Sequence, residues 1–395
     1  MSLEELQEEY LELVESAGLL NLADPHQDFN GLNAFLQYMD PGHCRYLLSD
    51  KFERCGLPVL PNDYVNFTNV VHSAMCEALS RAEECGLANF DAPVFLGLSP
   101  YSTFGAEVMR VNKGYLVLIS PITLSFCLVY ATLAISSMQA LAQLPPDILE
   151  QPIIERFRAI CSDPRAADSL SSLFSLRKMI EEFSTTGTLS DPVALVKSSG
   201  FGRLHPIYYE RVQATYEHFI TFLVLHEFAH IDLGHMGVNG TAGCSEHGNQ
   251  VALEYRPAQE EEADDYALKA LVGTDFVEEL MPLLELLDAG KTSHKALDKL
   301  WAGHTAYGRY ASALLLMKGF DLMDSCQVGD VDSGISFTDN CEINGSHPSG
   351  QHRFIRALMR IQDIISLPGE CKVSAIPILD WSNFVVAAFG HDMKS

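Results

Sequence analysis

Phe219-Ile-Thr-Phe-Leu-Val-Leu-His226-Glu227-Phe228-Ala229-His230-Ile-Asp-Leu-Gly234 is the stretch on which the reading of this chain turns. Its periodicity predicts a helix over about 207–233 that stops at Gly234, a residue type suited to a helix C-terminus. Phe219, Phe222, Leu223 and Leu233 flank the histidines on one stripe, so the helix should be buried with polar groups in its core-facing surface. His226-Glu227-Phe228-Ala229-His230 is an HExxH pattern. Residues four apart share a helix face, so both imidazoles can point at a single ion. Glu227, one position on, can take a proton from a water at that ion. The competing reading is a pair of hydrogen-bonded core histidines.

A catalytic zinc ion takes three protein ligands and leaves a position open. An HExxHxxGxxH pattern is excluded, because Gly234 and His235 are out of register and Met236 stands at the third-histidine position. The next source is the helix expected from Pro257 to about Val272, after a loop marked by Gly237, Gly240 and Gly243. Glu260, Ala263, Asp264, Ala267 and Leu271 share a face there. Two acids on an otherwise apolar face are costly to bury without a counter-charge, which a metal ion and its histidines provide. Glu260 is the candidate third ligand, with Glu261 and Glu262 as alternatives; Asp264, one turn on, would hydrogen-bond a ligating imidazole. The acidic run also suits the positive end of the helix dipole with no metal at all. His235 reads as a helix-terminal histidine, with a substrate-side group as the alternative.

Outward from this core, the 395 residues fall into five expected regions: a helical 1–90, a small sheet plus buried helix at 91–144, a helical insertion at 145–200, the metal-binding core at 201–368 and a terminal segment at 369–395. Leu3, Leu6, Tyr10, Leu13 and Val14 recur at helical spacing, as does the segment 64–85. Short apolar runs at 93–99, 106–111 and 115–120 read as strands. The uncharged run 115–143 is long enough to span a bilayer, but Pro121 splits it and no basic anchor closes it. It is read as a strand followed by a core helix, with a membrane-attached protein anchored by this run as the alternative. Further helices are expected at 276–288, 294–323 and 348–366, with a loop at 326–346. The fold class is α+β, predominantly helical.

Lys and Arg number 26 against 52 Asp and Glu, a net charge of −26 that should repel nucleic-acid phosphates and anionic lipid. The ten cysteines form no CxxC pair, and Cys76 and Cys127 sit in apolar helical contexts. No signal peptide is expected, since Met1 leads into a charged run. A reducing, cytoplasmic setting is expected.

HExxH followed by Glu260-Glu261-Glu262-Ala263-Asp264 resembles the gluzincin metallopeptidases, where the second helix carries Glu-x-x-Ala-Asp. Ser346-His347-Pro348 with Arg353 six residues after the histidine is similar to the HtpX and CAAX-protease branch, and His226-to-His235 is also similar to phage-exclusion peptidases of the Lit type. The resemblance spans about 90–145 and 205–365. It implies a gluzincin-like core, one zinc ion, and a protein or peptide substrate cut by an endopeptidase with a defence or regulatory role. It further implies that His347 stabilises the oxyanion, that Arg353 braces that loop or the acidic groups around the metal, and that 115–120 pairs with extended substrate. The alternative is a catalytically silent binding or sensor module on the same scaffold.

Overall fold

The computed structural model describes residues 3–16, 67–99, 104–112, 114–142, 153–162, 167–198, 206–236, 246–247, 250–251, 257–274, 276, 278–279, 305–328, 342–343, 347–365, 381 and 385. These residues are mostly helical with a small three-stranded sheet, an α+β arrangement. The segment 369–395, Trp381 and Val385 apart, lies outside the described residues, as does most of the helix expected at 276–288.

Chain packing divides into two units of interleaved segments, where the sequence reading divides the chain into consecutive blocks. The first unit takes residues 1–125, 217–274 and 342–348; the second takes 126–216, 275–341 and 349–395.

In the first unit, β1 (Val94–Leu98), β2 (Ala106–Val111) and β3 (Gly114–Ile119) form a sheet in the order β1-β3-β2, and β4 (Glu246–His247) and β5 (Gln250–Val251) pair as a short antiparallel ribbon. β1 runs parallel to β3 and β2 antiparallel to it. β3 is buried along its whole length, as an unbroken apolar run between two strands should be. A side chain at Gly114 would place its Cβ 2.2 Å from the Pro93 carbonyl, so glycine is required where β3 begins.

Helix α1 (Leu3–Ser16) lies on this sheet. Leu6, Tyr10 and Leu13, at helical spacing, are buried against Leu116 and Leu118, with Phe95, Met109 and Val111 packed around them. Each such side chain contributes about 1.5–3 kcal/mol on burial. The Tyr10 ring sits where a Cβ on Gly97 would be, 2.6 Å away. Its hydroxyl donates to the Leu98 carbonyl at 3.1 Å and accepts from the Leu98 amide at 3.2 Å. That hydroxyl takes the place of a neighbouring strand on the outer edge of β1. Helix α2 (Phe67–Glu84) also packs on β1.

The second unit contains α3 (Pro121–Ala142) from Phe126 onward, α4 (Ile153–Ser162), α5 (Ala167–Thr186) and α6 (Pro192–Ser198). It also holds the first turns of α7 (Pro206–Asp232), together with α9 (Ala306–Val328) and α10 (Gly350–Ile365). One stretch of α3, Ile122–Gln139, is long and apolar enough to cross a membrane, and 89% of it is buried inside the protein. The Tyr130 hydroxyl donates to the Leu315 carbonyl at 2.9 Å and its ring packs on Gly319. Trp381 Nε1 donates to Ser137 Oγ at 2.8 Å. Within the loop expected at 326–346, residues 326–328 belong to α9 and Glu342–Ile343 form β6; the rest of it lies outside the described residues. The last long helix starts at Gly350, not at 348. The Ser349 hydroxyl accepts from the His352 amide at 3.2 Å and caps it.

Candidate metal centre

Helix α7 from Glu217 onward, α8 (Pro257–Val272) and β7 (His347–Pro348) belong to the first unit. The two helices are braced by the turn after α2. Asp232, at the end of α7, accepts from the amides of Ala88 at 3.2 Å and Asn89 at 2.8 Å. Tyr266 of α8 accepts from the same Ala88 amide at 3.1 Å. Phe90 packs edge-on against Phe228, with ring centroids 5.1 Å apart. Of the stripe expected to flank the histidines, Phe219, Phe222 and Leu223 are buried, whereas Leu233 is corrected: it lies one residue past the end of α7 and is 45% exposed.

His226 and His230 lie side by side, their Nε2 atoms 3.2 Å apart. Glu260 faces both, at 3.1 Å from His226 Nε2 and 3.6 Å from His230 Nε2. The three ligand atoms lie within 4.8 Å of one another and all three residues are buried. Zinc bonds of about 2.0–2.1 Å in a tetrahedron set neighbouring ligand atoms roughly 3.3 Å apart. The observed separations match that spacing, and the donors are the two imidazoles and one carboxylate that such an ion prefers. This group could hold a metal ion.

Among the three acids left open by the sequence, Glu260 is the one that reaches the histidines, and Glu262 turns to His235 instead. The face expected on α8 is the buried one: Glu260, Ala263, Asp264, Ala267 and Leu271 are all enclosed. Asp264 Oδ1 lies 3.0 Å from His226 Nδ1, the contact expected for a residue that orients a ligating imidazole. Glu227 is 5% exposed on the same buried turn.

Burial works against a charge on either imidazole, but the two histidines answer differently. For His226 the Asp264 and Glu260 carboxylates outweigh burial and hold the pKa up to about 10. For His230 burial, reinforced by the charge on His226, holds it well below the usual imidazole range. The two acids thus face one imidazolium, a positive charge that a divalent cation would replace.

His347 forms β7 with Pro348, paired to Glu342–Ile343 and running alongside α8. Its side chain lies outside the described residues. Arg353 is on α10 in the second unit, its guanidinium 5.1 Å from the Phe320 ring centroid. The strand expected to receive substrate is corrected: β3 is the central strand, with both edges already paired, and among the described residues β1 and β2 are the two edge strands, β1 with the Tyr10 hydroxyl against its outer side.

Sequence reasoning did not anticipate the contacts of His235. It is not merely the histidine at a helix end: its Nδ1 lies 3.0 Å from Nδ1 of His230 and its Nε2 lies 3.0 Å from Glu262. The signal was present in Gly234, because a left-handed glycine closing a helix returns the next residue over the last turn. No protein-family profile, characterised protein or solved structure matches this chain.

Proposed function

We propose that this chain is a zinc-dependent endopeptidase of gluzincin type acting on an intracellular protein. The observation that carries the reading is the convergence of His226, His230 and Glu260 within 4.8 Å in a buried site, with Glu227 on the same turn. When bound by those three side chains, zinc would supply Lewis-acid polarisation of the scissile carbonyl and a water acidified towards neutrality. Glu227 accepts the proton of the attacking water and delivers it to the leaving amine. Asp264 holds the His226 ring in place through Nδ1. His347 donates to the developing oxyanion from β7, which runs beside the Glu260 helix. An extended peptide pairs with the open edge of β2.

The test uses the full chain and Glu227→Gln. Both proteins should carry zinc by elemental analysis, and mapping of newly formed N-termini across a proteome should find cleavages with the wild type that the variant lacks. A zinc-free wild type, or the same termini from both proteins, would defeat the reading.

A further inference from the structure

Gly234 ends α7 with φ +70°, in the left-handed region. The His235 amide then donates back to the His230 carbonyl at 3.0 Å. This closure carries the residue after the glycine over the residue at the start of the last turn. Among the described residues, its chain neighbours apart, no atom lies within 4 Å of where a Gly234 Cβ would be, so the glycine answers to its positive φ. The two imidazoles meet Nδ1 to Nδ1 at 3.0 Å, and His235 Nε2 reaches Glu262 Oε2 at 3.0 Å. The His235 side chain is 5% exposed and that of Glu262 is 62% exposed, so the chain of contacts runs from the buried centre to solvent.

We propose that His235 and Glu262 are positioning residues that set the tautomer and ring orientation of His230 for a metal ion, an inference that rests on the metal reading of the site. A neutral imidazole that offers its Nε2 lone pair to an ion carries its hydrogen on Nδ1. The His230 Nδ1–H faces His235 Nδ1, which must therefore be the acceptor. His235 then carries its own hydrogen on Nε2, where the Glu262 carboxylate accepts it. Donor and acceptor alternate at every link. The opposite assignment puts the His230 hydrogen on Nε2, among His226 and Glu260, and binding an ion would require that hydrogen to leave. His226 is oriented by one carboxylate directly, His230 by a carboxylate acting through a second imidazole.

The experiment measures zinc affinity by chelator competition and the visible spectrum of the cobalt-substituted protein. It compares wild type, His235→Ala and Glu262→Gln, and records thermal unfolding of the metal-free forms. His235→Ala should weaken zinc by about 10–100-fold and shift the cobalt bands. Glu262→Gln should move both in the same direction by less, with its metal-free unfolding unchanged, which separates positioning from general loss of structure. Long-range proton–nitrogen spectra of zinc-loaded wild type, labelled at histidine, should show His235 protonated on Nε2. If His235→Ala does not fold, Glu262→Gln and the tautomer spectrum decide. A wild type that binds zinc while the variants keep its affinity and cobalt spectrum, or a His235 protonated on Nδ1, overturns the proposal and leaves the metal centre standing. A wild type that takes up neither zinc nor cobalt removes both.

Discussion

Two places in the first unit take carboxylates out of water, and they do so with opposite partners. On α8, Glu260 and Asp264 are 2% and 4% exposed and face imidazoles. On β2, the partly buried Glu107 accepts a hydrogen bond from Ser99 Oγ at 2.9 Å. The imidazole can hold a positive charge, and the carboxylates raise the His226 pKa to about 10 against the opposing effect of burial. The serine hydroxyl can offer only a neutral hydrogen bond. Burial therefore dominates at Glu107 and its pKa rises, with the Ser99 bond opposing weakly. An opposite charge beside a buried acid favours its charged form far more than a single neutral hydrogen bond does. On α8 that charge is a proton on His226, or a metal ion in its place.

The largest effect should come from Glu260, because it faces both histidines. Glu260→Gln should lower zinc affinity by more than the roughly 10–100-fold typical of losing an outer partner of a metal site, measured by competition with a chelator of known affinity. Retention of wild-type affinity would break the comparison at its centre, since Glu260 would then be no more than the counter-ion of an imidazolium.

Asp264→Asn should have a smaller effect, near the lower end of that range at about 10-fold. The amide oxygen can still accept from His226 Nδ1, but the charge that strengthens the contact is gone. The same chelator competition measures it. An Asp264→Asn loss as large as that of Glu260→Gln would mean that the two acids share the ion and that the division between ligand and orienting residue is wrong.

The α8 half of this comparison is legible in the sequence, because helical spacing is local. Residues four apart fix a face, so spacing alone pairs His226 with His230 and Glu260 with Asp264. The existence of three strands and a long core helix is equally local, and so is the helical character of the described residues between 153 and 198. Strand order is not. The resemblance implies an edge for substrate at 115–120, yet nothing within that run says that β1 and β2 flank β3 on both sides. Tyr10 closes the edge of β1 from 88 residues away, a relation no window of sequence contains. The interleaved units are hidden for the same reason. His235 lies between these cases. The Gly-His pair after the HExxH helix specifies the fold-back, but reading it requires that Gly234 adopt positive φ.

The smallest effect is the one that tests the β2 side. The Glu107 pKa is raised above its ordinary value of 4.5. The folded protein therefore holds this proton more tightly than the unfolded chain does. Its contribution to stability is complete below the ordinary value and is lost as pH rises through the window up to the folded-state pKa. Glu107→Gln keeps a neutral group in contact with Ser99 at every pH and removes that loss. Thermal unfolding of both proteins at several pH values from 4 to 7 should show the variant gaining on the wild type as pH rises, with the change confined to that window. A variant that instead loses ground towards pH 7 would show that Glu107 is held as a carboxylate by a positive partner, and the two places would then follow one rule.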